Sequence, residues 1–344
     1  MAAPAAPLSL TARLAAWRYA FLTTNPPEQG VVDGVTRWLV VTRAGVLPMT
    51  LTSGLIAVLL AAIAPADVSV DWLNVTLAVV GIVLAHLANN LMNDLADTHV
   101  GSDTESYPRA LYAPHPILAG LVTKKQLLAG IAICQVLDLA IMITLIQRQD
   151  WWIAAFALGG LFLSWAYTAP PLRLKKVGLG ELDVLITWGL LMVGGVYYAG
   201  TGTLPWQVLA IATVYAVLPT SVLMGKHIDK LPYDAPTGTR TLPVLVGERA
   251  ARVITQAMII AYYLGVITLV LVRALPWPAL LTLLAVPRAV TAVRAFSQPK
   301  PTEAPPDNPV WPLWWAPIAF LHTRRAGGLL ILGLLGWAIW VAVR

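Results

Sequence analysis

Amides and carboxylates cluster at Asn89-Asn90-Leu91-Met92-Asn93-Asp94-Leu95-Ala96-Asp97, followed by His99 and Gly101-Ser102-Asp103. Asn90, Asn93, Asp94 and Asp97 fall at helical spacing and share one face of a helix. The apolar run from Leu73 to Leu91 that leads into them is long enough to cross a bilayer. Carboxylates and amides at the mouth of a membrane helix need water, a charged partner or a metal to receive them. A second cluster follows much later: Lys226-His227-Ile228-Asp229-Lys230-Leu231-Pro232-Tyr233-Asp234, then Ala235 to Leu242 with Arg240. Carboxylate and amide oxygens are the ligands Mg²⁺ prefers, and Mg²⁺ completes its shell with phosphate oxygens and water. Arg109, Lys124, Lys226, Lys230 and Arg240 supply the positive charge a diphosphate needs beyond the metal.

The elements that must hold these clusters are membrane helices. The chain has 344 residues, 58% hydrophobic and only 12% charged, about half the charged share of a soluble domain. Nine apolar spans are expected, at roughly 45–64, 73–92, 127–146, 152–169, 182–200, 206–224, 253–272, 276–295 and 327–343. The fold class is therefore an all-α integral membrane bundle of about nine helices, with a central cavity opening to the cytoplasmic side. Twenty of the 23 basic residues fall on one side of this arrangement; only Arg148, Arg273 and Arg344 fall on the other. The rich side, carrying the N-terminus and both acidic clusters, should be cytoplasmic. This distribution also explains the net charge of +6 without nucleic acid as a partner; the expected surroundings are membrane lipid.

The expected organisation is an N-terminal amphipathic segment (1–44), eight helices (45–296), a proline-rich linker and interfacial segment (297–326) and the ninth helix (327–344). Leu10, Leu14, Trp17 and Phe21 lie opposite Arg13 and Arg18, which fits a short helix on the membrane surface or packed on the protein. The segment does not read as a secretory signal. Gln298 to Asn308 reads as a linker without a fold of its own, and Trp311, Trp314 and Trp315 as an interfacial anchor. Cys134, the single cysteine, reads as a packing residue.

A ligand with a diphosphate head and a tail compatible with a membrane cavity is a polyprenyl diphosphate. Metal and basic groups would stabilise the departing diphosphate. The allylic cation left behind must meet an electron-rich acceptor in a dry pocket before water quenches it. Trp165, Tyr167, Tyr197 and Tyr198 are candidates to face that cation, against the commoner use of such rings in packing.

Asn90-x-x-Asn93-Asp94-x-x-Asp97 with Gly101-x-Asp103 resembles the first aspartate-rich motif of the UbiA superfamily of intramembrane prenyltransferases. It looks most like that of the 1,4-dihydroxy-2-naphthoate prenyltransferases of the menaquinone branch. Tyr167-Thr168-x-Pro170-Pro171-Leu172-x-Leu174-Lys175, then Gly178-Leu179-Gly180-Glu181, is similar to the family's loop after the fourth span. Asp229, Asp234, Gly238 and Thr241-Leu242 are similar to its second motif. The resemblance implies a Mg²⁺-dependent enzyme that transfers a prenyl group to an aromatic acceptor. It implies Asn90, Asp94, Asp97 and Asp103 as ligands of one metal, and Asp229 and Asp234 as ligands of a second. Asp94, Asp97, Asp229 and Asp234 would carry catalysis. Asn90, Asn93, Arg109, Tyr167, Lys175, Lys226, His227, Lys230 and Arg240 would bind substrate. The chain departs from the family in two places. Asp229 and Asp234 are five apart rather than four, with Pro232 between them, and Lys226 and His227 stand where the menaquinone branch has Asn and Arg.

His227 is placed to act on diphosphate or acceptor, or to make a structural hydrogen bond; His86 is placed to line the cavity. Glu181 and Asp183 either orient a cavity residue or begin the fifth span. The implied acceptor is a quinone precursor such as 1,4-dihydroxy-2-naphthoate. 4-Hydroxybenzoate, homogentisate, haem, chlorophyllide or a lipid acceptor remain open within the class. The rivals outside it are a cation- or proton-coupled transporter and an isoprenoid-binding relative without turnover. Both clusters lie at helix ends on one side, which disfavours alternating access.

Overall fold

A computed structural model describes residues 9–27, 32–99, 113–306, 308 and 310–344, with the side chains of 97–99 left aside. Among these residues the regular structure is entirely helical. Two short helices, α1 (Leu10–Thr23) and α2 (Gly34–Val41), precede the bundle. Then come α3 (Leu47–Ala62), α4 (Trp72–His99), α5 (Lys124–Arg148), α6 (Trp152–Thr168), α7 (Gly180–Thr201), α8 (Trp206–Asp234), α9 (Glu248–Leu271), α10 (Trp277–Ser297) and α11 (Trp315–Val343). Eight of these nine are long and apolar enough to span a membrane, and α6 is a shorter apolar helix.

Contacts between Arg43 and Asp94, Asn93 and Thr168, and His227 and Glu181 bring the start of α3, the ends of α4, α6 and α8 and the start of α7 together at one end of the bundle. The opposite end carries exposed Trp72, Trp151, Trp206 and Trp277, each opening or preceding a helix, as at a membrane interface. The main core lies among α3, α7, α8, α9, α10 and α11; a smaller cluster of Val41, Leu91, Val122 and Leu127 seals the gathered end.

Three local features set the packing. From Ile186 to Gly194, α7 is π-helical, a rare geometry that concentrates at functional sites. Gly189 lets this stretch close on α8, because a Cβ there would lie 2.8 Å from the Ala212 carbonyl oxygen. Gly225 does the same for the first turn of α11, where a Cβ would meet the Ala316 nitrogen at 3.0 Å.

The last helix begins at Trp315 rather than at 327, so the tryptophan cluster leads straight into it and Arg324 and Arg325 are helical. The described residues of Gln298 to Asn308 contain no helix, and the segment is held at both ends. Arg252 donates to the Gln298 carbonyl at 2.6 Å, Asn308 donates to the Leu313 carbonyl at 2.8 Å, and Lys300 donates to the Pro312 carbonyl. In α10, Pro287 falls at the junction of a 3₁₀ stretch (Trp277–Ala285) with a regular one (Val286–Ser297), where a missing N–H is tolerated. Helix α1 packs on α2, with Ala16 and Ala20 buried and the Trp17 indole donating to the Asp33 carboxylate at 2.9 Å; Leu10 and Leu14 remain exposed.

Candidate active site

The first cluster sits on the last turns of α4, where helical spacing turns Asn90 and Asp94 to one partner. Asn90 donates to the Thr42 carbonyl at 2.9 Å, and Asp94, wholly buried, is paired with Arg43. Asn93, about 100° round the helix from Asp94, accepts from the Thr168 hydroxyl of α6. Arg43 occupies the left-handed region (φ 54°), uncommon for a side chain of this size. Such strain persists only where the surroundings enforce it, and it favours functional positions. Nothing in the sequence singles out Arg43 except its charge, since it lies 51 residues from its carboxylate.

Tyr167 and Lys175 come together beside Gly180, where a Cβ would lie 3.2 Å from the Tyr167 ring and from the Lys175 Cα. The Lys175 ammonium stands 6.0 Å from the Tyr167 ring centre. The Arg240 amide donates to the Lys176 carbonyl at 3.1 Å, joining the loop after α8 to the loop after α6.

Helix α8 continues through Pro232 to Asp234. Five residues along a helix separate Asp229 and Asp234 by about 140°, and the two buried carboxylates diverge accordingly. Asp229 accepts from the Ala316 amide at 3.0 Å, capping α11, with Lys300 at 3.7 Å from its other oxygen. The Asp234 backbone carbonyl accepts from the Thr237 hydroxyl at 2.9 Å and the Thr239 amide at 3.1 Å in the turn that follows. The expectation that both hold one metal therefore meets a competing use for Asp229.

His227, about two turns before the end of α8, is buried and hydrogen-bonded through Nδ1 to Glu181 of α7 at 2.7 Å. His227 and Glu181 are thus partners, a pairing that neither local motif discloses. Among the four rings offered as cation-facing, only Tyr167 stands at the site. Tyr197 is in the core, Tyr198 donates to Asp150 at the opposite end, and Trp165 is largely exposed. Arg109 and Asp103 lie outside the described residues, as does the side chain of Asp97. Lys226 and Lys230 lie on the last turns of α8, flanking His227 and Asp229.

A cavity of ≈ 210 Å³ lies between α4, α5, α6 and α7. It runs along α4 from Asn89 to Ala78, about 16 Å at 1.5 Å per residue. At the far end its wall is Ala78, Leu145, Ile153, Val196 and Ala199. His86 lines it, held by Thr50 at 2.5 Å and edge-on to Trp188.

This is an apolar chamber inside a membrane bundle, with carboxylates and cations gathered at one end. The UbiA prenyltransferase family matches residues 54–307. The chain belongs to that family, a class of prenyl-transferring enzymes, and is an integral membrane protein. It is 28% identical over 210 residues to the 2-carboxy-1,4-naphthoquinone phytyltransferase of Synechocystis, covering 61% of this chain and 66% of that one. It is also 28% identical over 262 residues to the 1,4-dihydroxy-2-naphthoate octaprenyltransferase of Bacillus subtilis, covering 73% and 80% respectively. In fold it resembles a UbiA homologue from Aeropyrum pernix (TM-score 0.61, 17% identity, 86% of this chain and 98% of the other). It also resembles one from Archaeoglobus fulgidus bound to GPP and Mg²⁺ (TM-score 0.58, 13% identity, 86% and 99%).

Proposed function

We propose that this protein transfers a polyprenyl group from polyprenyl diphosphate to an aromatic acceptor, 1,4-dihydroxy-2-naphthoate, on the cytoplasmic side of the membrane. The observation that carries the reading is the buried Asp94 carboxylate of α4, held against a strained Arg43 about 8 Å along the helix beyond Asn89, the last α4 residue to line the apolar cavity. The named relatives of the naphthoate branch support the acceptor, and the placement of the basic residues supports the orientation.

The residues fit Mg²⁺. Asn90, Asp94 and Asp97 are oxygen donors of the kind Mg²⁺ takes, spaced along the end of one helix, and an ion at Asp94 would share or displace the Arg43 pairing. These residues, with Asp103, would hold one ion, and Asp234 the second; Asp229 would contribute through the oxygen that is not capping α11. The metal, when bound, offsets negative charge on the departing diphosphate. Lys175, Lys226, Lys230, Arg109 and Arg240 bind and orient the diphosphate, and Tyr167 shields its allylic end from water. The apolar far wall of the cavity takes the hydrocarbon tail. Asn93, tied to Thr168, holds α4 and α6 in register so that donor and tail sites stay aligned.

The test is an acceptor competition in lipid with labelled geranylgeranyl diphosphate and Mg²⁺. Preferential prenylation of 1,4-dihydroxy-2-naphthoate over 4-hydroxybenzoate and homogentisate is expected. Preference for either of the others would overturn the acceptor assignment. For orientation, a cysteine placed at Thr302 in a Cys134→Ser background should react with an impermeant maleimide only when the cytoplasmic face is exposed.

A further inference from the structure

The site end of the cavity is lined differently from its far end. Asn89, Ser164, Asp183, Thr187 and Trp188 all border it there, and Asp138 borders it partway along α5. The Asn89 carboxamide oxygen, Asp183 Oδ1, the Thr187 hydroxyl and the Trp188 indole nitrogen are buried, and none makes a hydrogen bond among the described residues. Asp183 is only 7% exposed. Four such atoms on adjoining turns of α4 and α7 are an unusual concentration, since each unmet buried polar group costs about 1–3 kcal/mol. A native protein retains such groups for a reason, and here all four belong to residues that border one cavity.

A hydrocarbon tail offers these groups nothing to bond. A diphosphate would be repelled by Asp183 and Asp138, and its cations stand elsewhere, on the loops after α6 and α8. An acceptor's carboxylate would be repelled in the same way, so a carboxylated acceptor would turn a hydroxyl-bearing edge to this wall and its carboxylate away. What suits the wall is a flat apolar ring with O–H groups on its edge. Asp183 accepts from a hydroxyl, the Trp188 indole donates to one, and the apolar neighbours cover the ring faces. Resting on the function proposed above, we propose that this wall is the acceptor subsite. Asp183 reads a hydroxyl of the aromatic substrate, and Trp188 and Asn89 position it. Thr187, four residues after Asp183, shares its helical face, and the π-helical stretch that begins at Ile186 brings Trp188, five residues on, round to the same wall.

The experiment compares 1-naphthol with 1-methoxynaphthalene by equilibrium binding to purified protein in lipid nanodiscs. The variants are wild type, Asp183→Asn and Asp183→Leu, each checked for a cooperative melt. Wild type should hold the naphthol at least about 10-fold more tightly, because a site built to bond a hydroxyl discriminates against an analogue lacking it. Asp183→Leu should abolish the preference, and Asp183→Asn, which still accepts a hydrogen bond, should keep part of it. Replacing an unpartnered buried carboxylate with an apolar group should not unfold the protein. Equal affinity for the two probes in wild type, or an undiminished preference in Asp183→Leu, would overturn the proposal. In turnover, Asp183→Leu should raise KM for the aromatic acceptor about 10-fold or more and leave KM for prenyl diphosphate unchanged. Absence of turnover with every acceptor would sink the proposed function, while the binding comparison would still decide the subsite.

Discussion

The two ends of this bundle both carry charge, and they use it differently. At the tryptophan-rich end, Asp71 caps α4 through the Leu73 and Asn74 amides at 3.0 and 3.1 Å and pairs with Arg148 at 2.6 Å. Arg148 also donates to Asn74 at 2.7 Å, and Tyr198 to Asp150 at 2.6 Å. These groups close on one another, and the Asp71–Arg148 pair is more than a third exposed on each side. At the other end, Asp94, Asp229, Asp234, Glu181 and His227 are buried, and they come from three helices. Exposed, mutually satisfied pairs fasten loops to helix ends and contribute little each. Buried ones cost desolvation, and a protein retains them where they do something besides stabilise the fold.

The largest effect that would break this contrast is at Asp94. Asp94→Ala should lower prenyl transfer by a factor of about 10³ or more, the scale on which loss of a transition-state charge partner is felt, with the protein still folded. Next is the buried pair. His227→Ala leaves the Glu181 carboxylate unanswered and should cost about 2–4 kcal/mol of stability, read as a lower melting temperature. Glu181→Gln, which can still hydrogen-bond the ring, should cost clearly less.

Asp229→Ala comes third and sharpens the distinction within the site. As a cap of α11 it should cost about 1–2 kcal/mol, with turnover reduced much less than by Asp94→Ala. A loss of turnover equal to that of Asp94→Ala, restored by raised Mg²⁺, would make Asp229 chiefly a metal ligand. The smallest effect belongs to the far end, where Asp71→Asn should leave turnover unchanged. The Asn74 amide, followed by the Arg148 guanidinium, holds the Asp71 carboxyl below the usual carboxylate range. A group depressed on folding stabilises above its unfolded pKa and loses that contribution as pH falls through the folded one. The difference in melting temperature between wild type and Asp71→Asn should thus be full at neutral pH and close below about pH 4.

Periodicity and charge made much of this legible in the sequence. Runs of apolar residues set off by polar loops located nine helices, because a span must be both long and apolar. Three extend well beyond their apolar runs: α4 ends at His99 rather than 92 and α8 at Asp234 rather than 224, and α11 starts at Trp315 although His322, Arg324 and Arg325 interrupt its apolar pattern. The Trp315 indole there bonds the Ala295 carbonyl at 3.1 Å, a contact from outside the helix. That Asn90 and Asp94 share one face of α4 was readable from their spacing. The divergence of Asp229 and Asp234 was readable too, since five residues with a proline between them do not share a helical face. Arg43, the Glu181–His227 pair and the polar wall around Asp183 were not, because each depends on which helices become neighbours. A π-helical segment leaves no mark in a hydrophobic pattern, so the turn that sets Trp188 against His86 was equally hidden.

The central claim is that the buried acidic end of the bundle transfers prenyl groups. Its most direct test is turnover by the purified protein in lipid, with Mg²⁺, labelled geranylgeranyl diphosphate and a panel of aromatic acceptors, beside Asp94→Ala. The account predicts a prenylated product with one acceptor, lost in chelator and in the variant. Product formed equally by Asp94→Ala, or neither diphosphate binding nor turnover in folded wild-type protein, would contradict it.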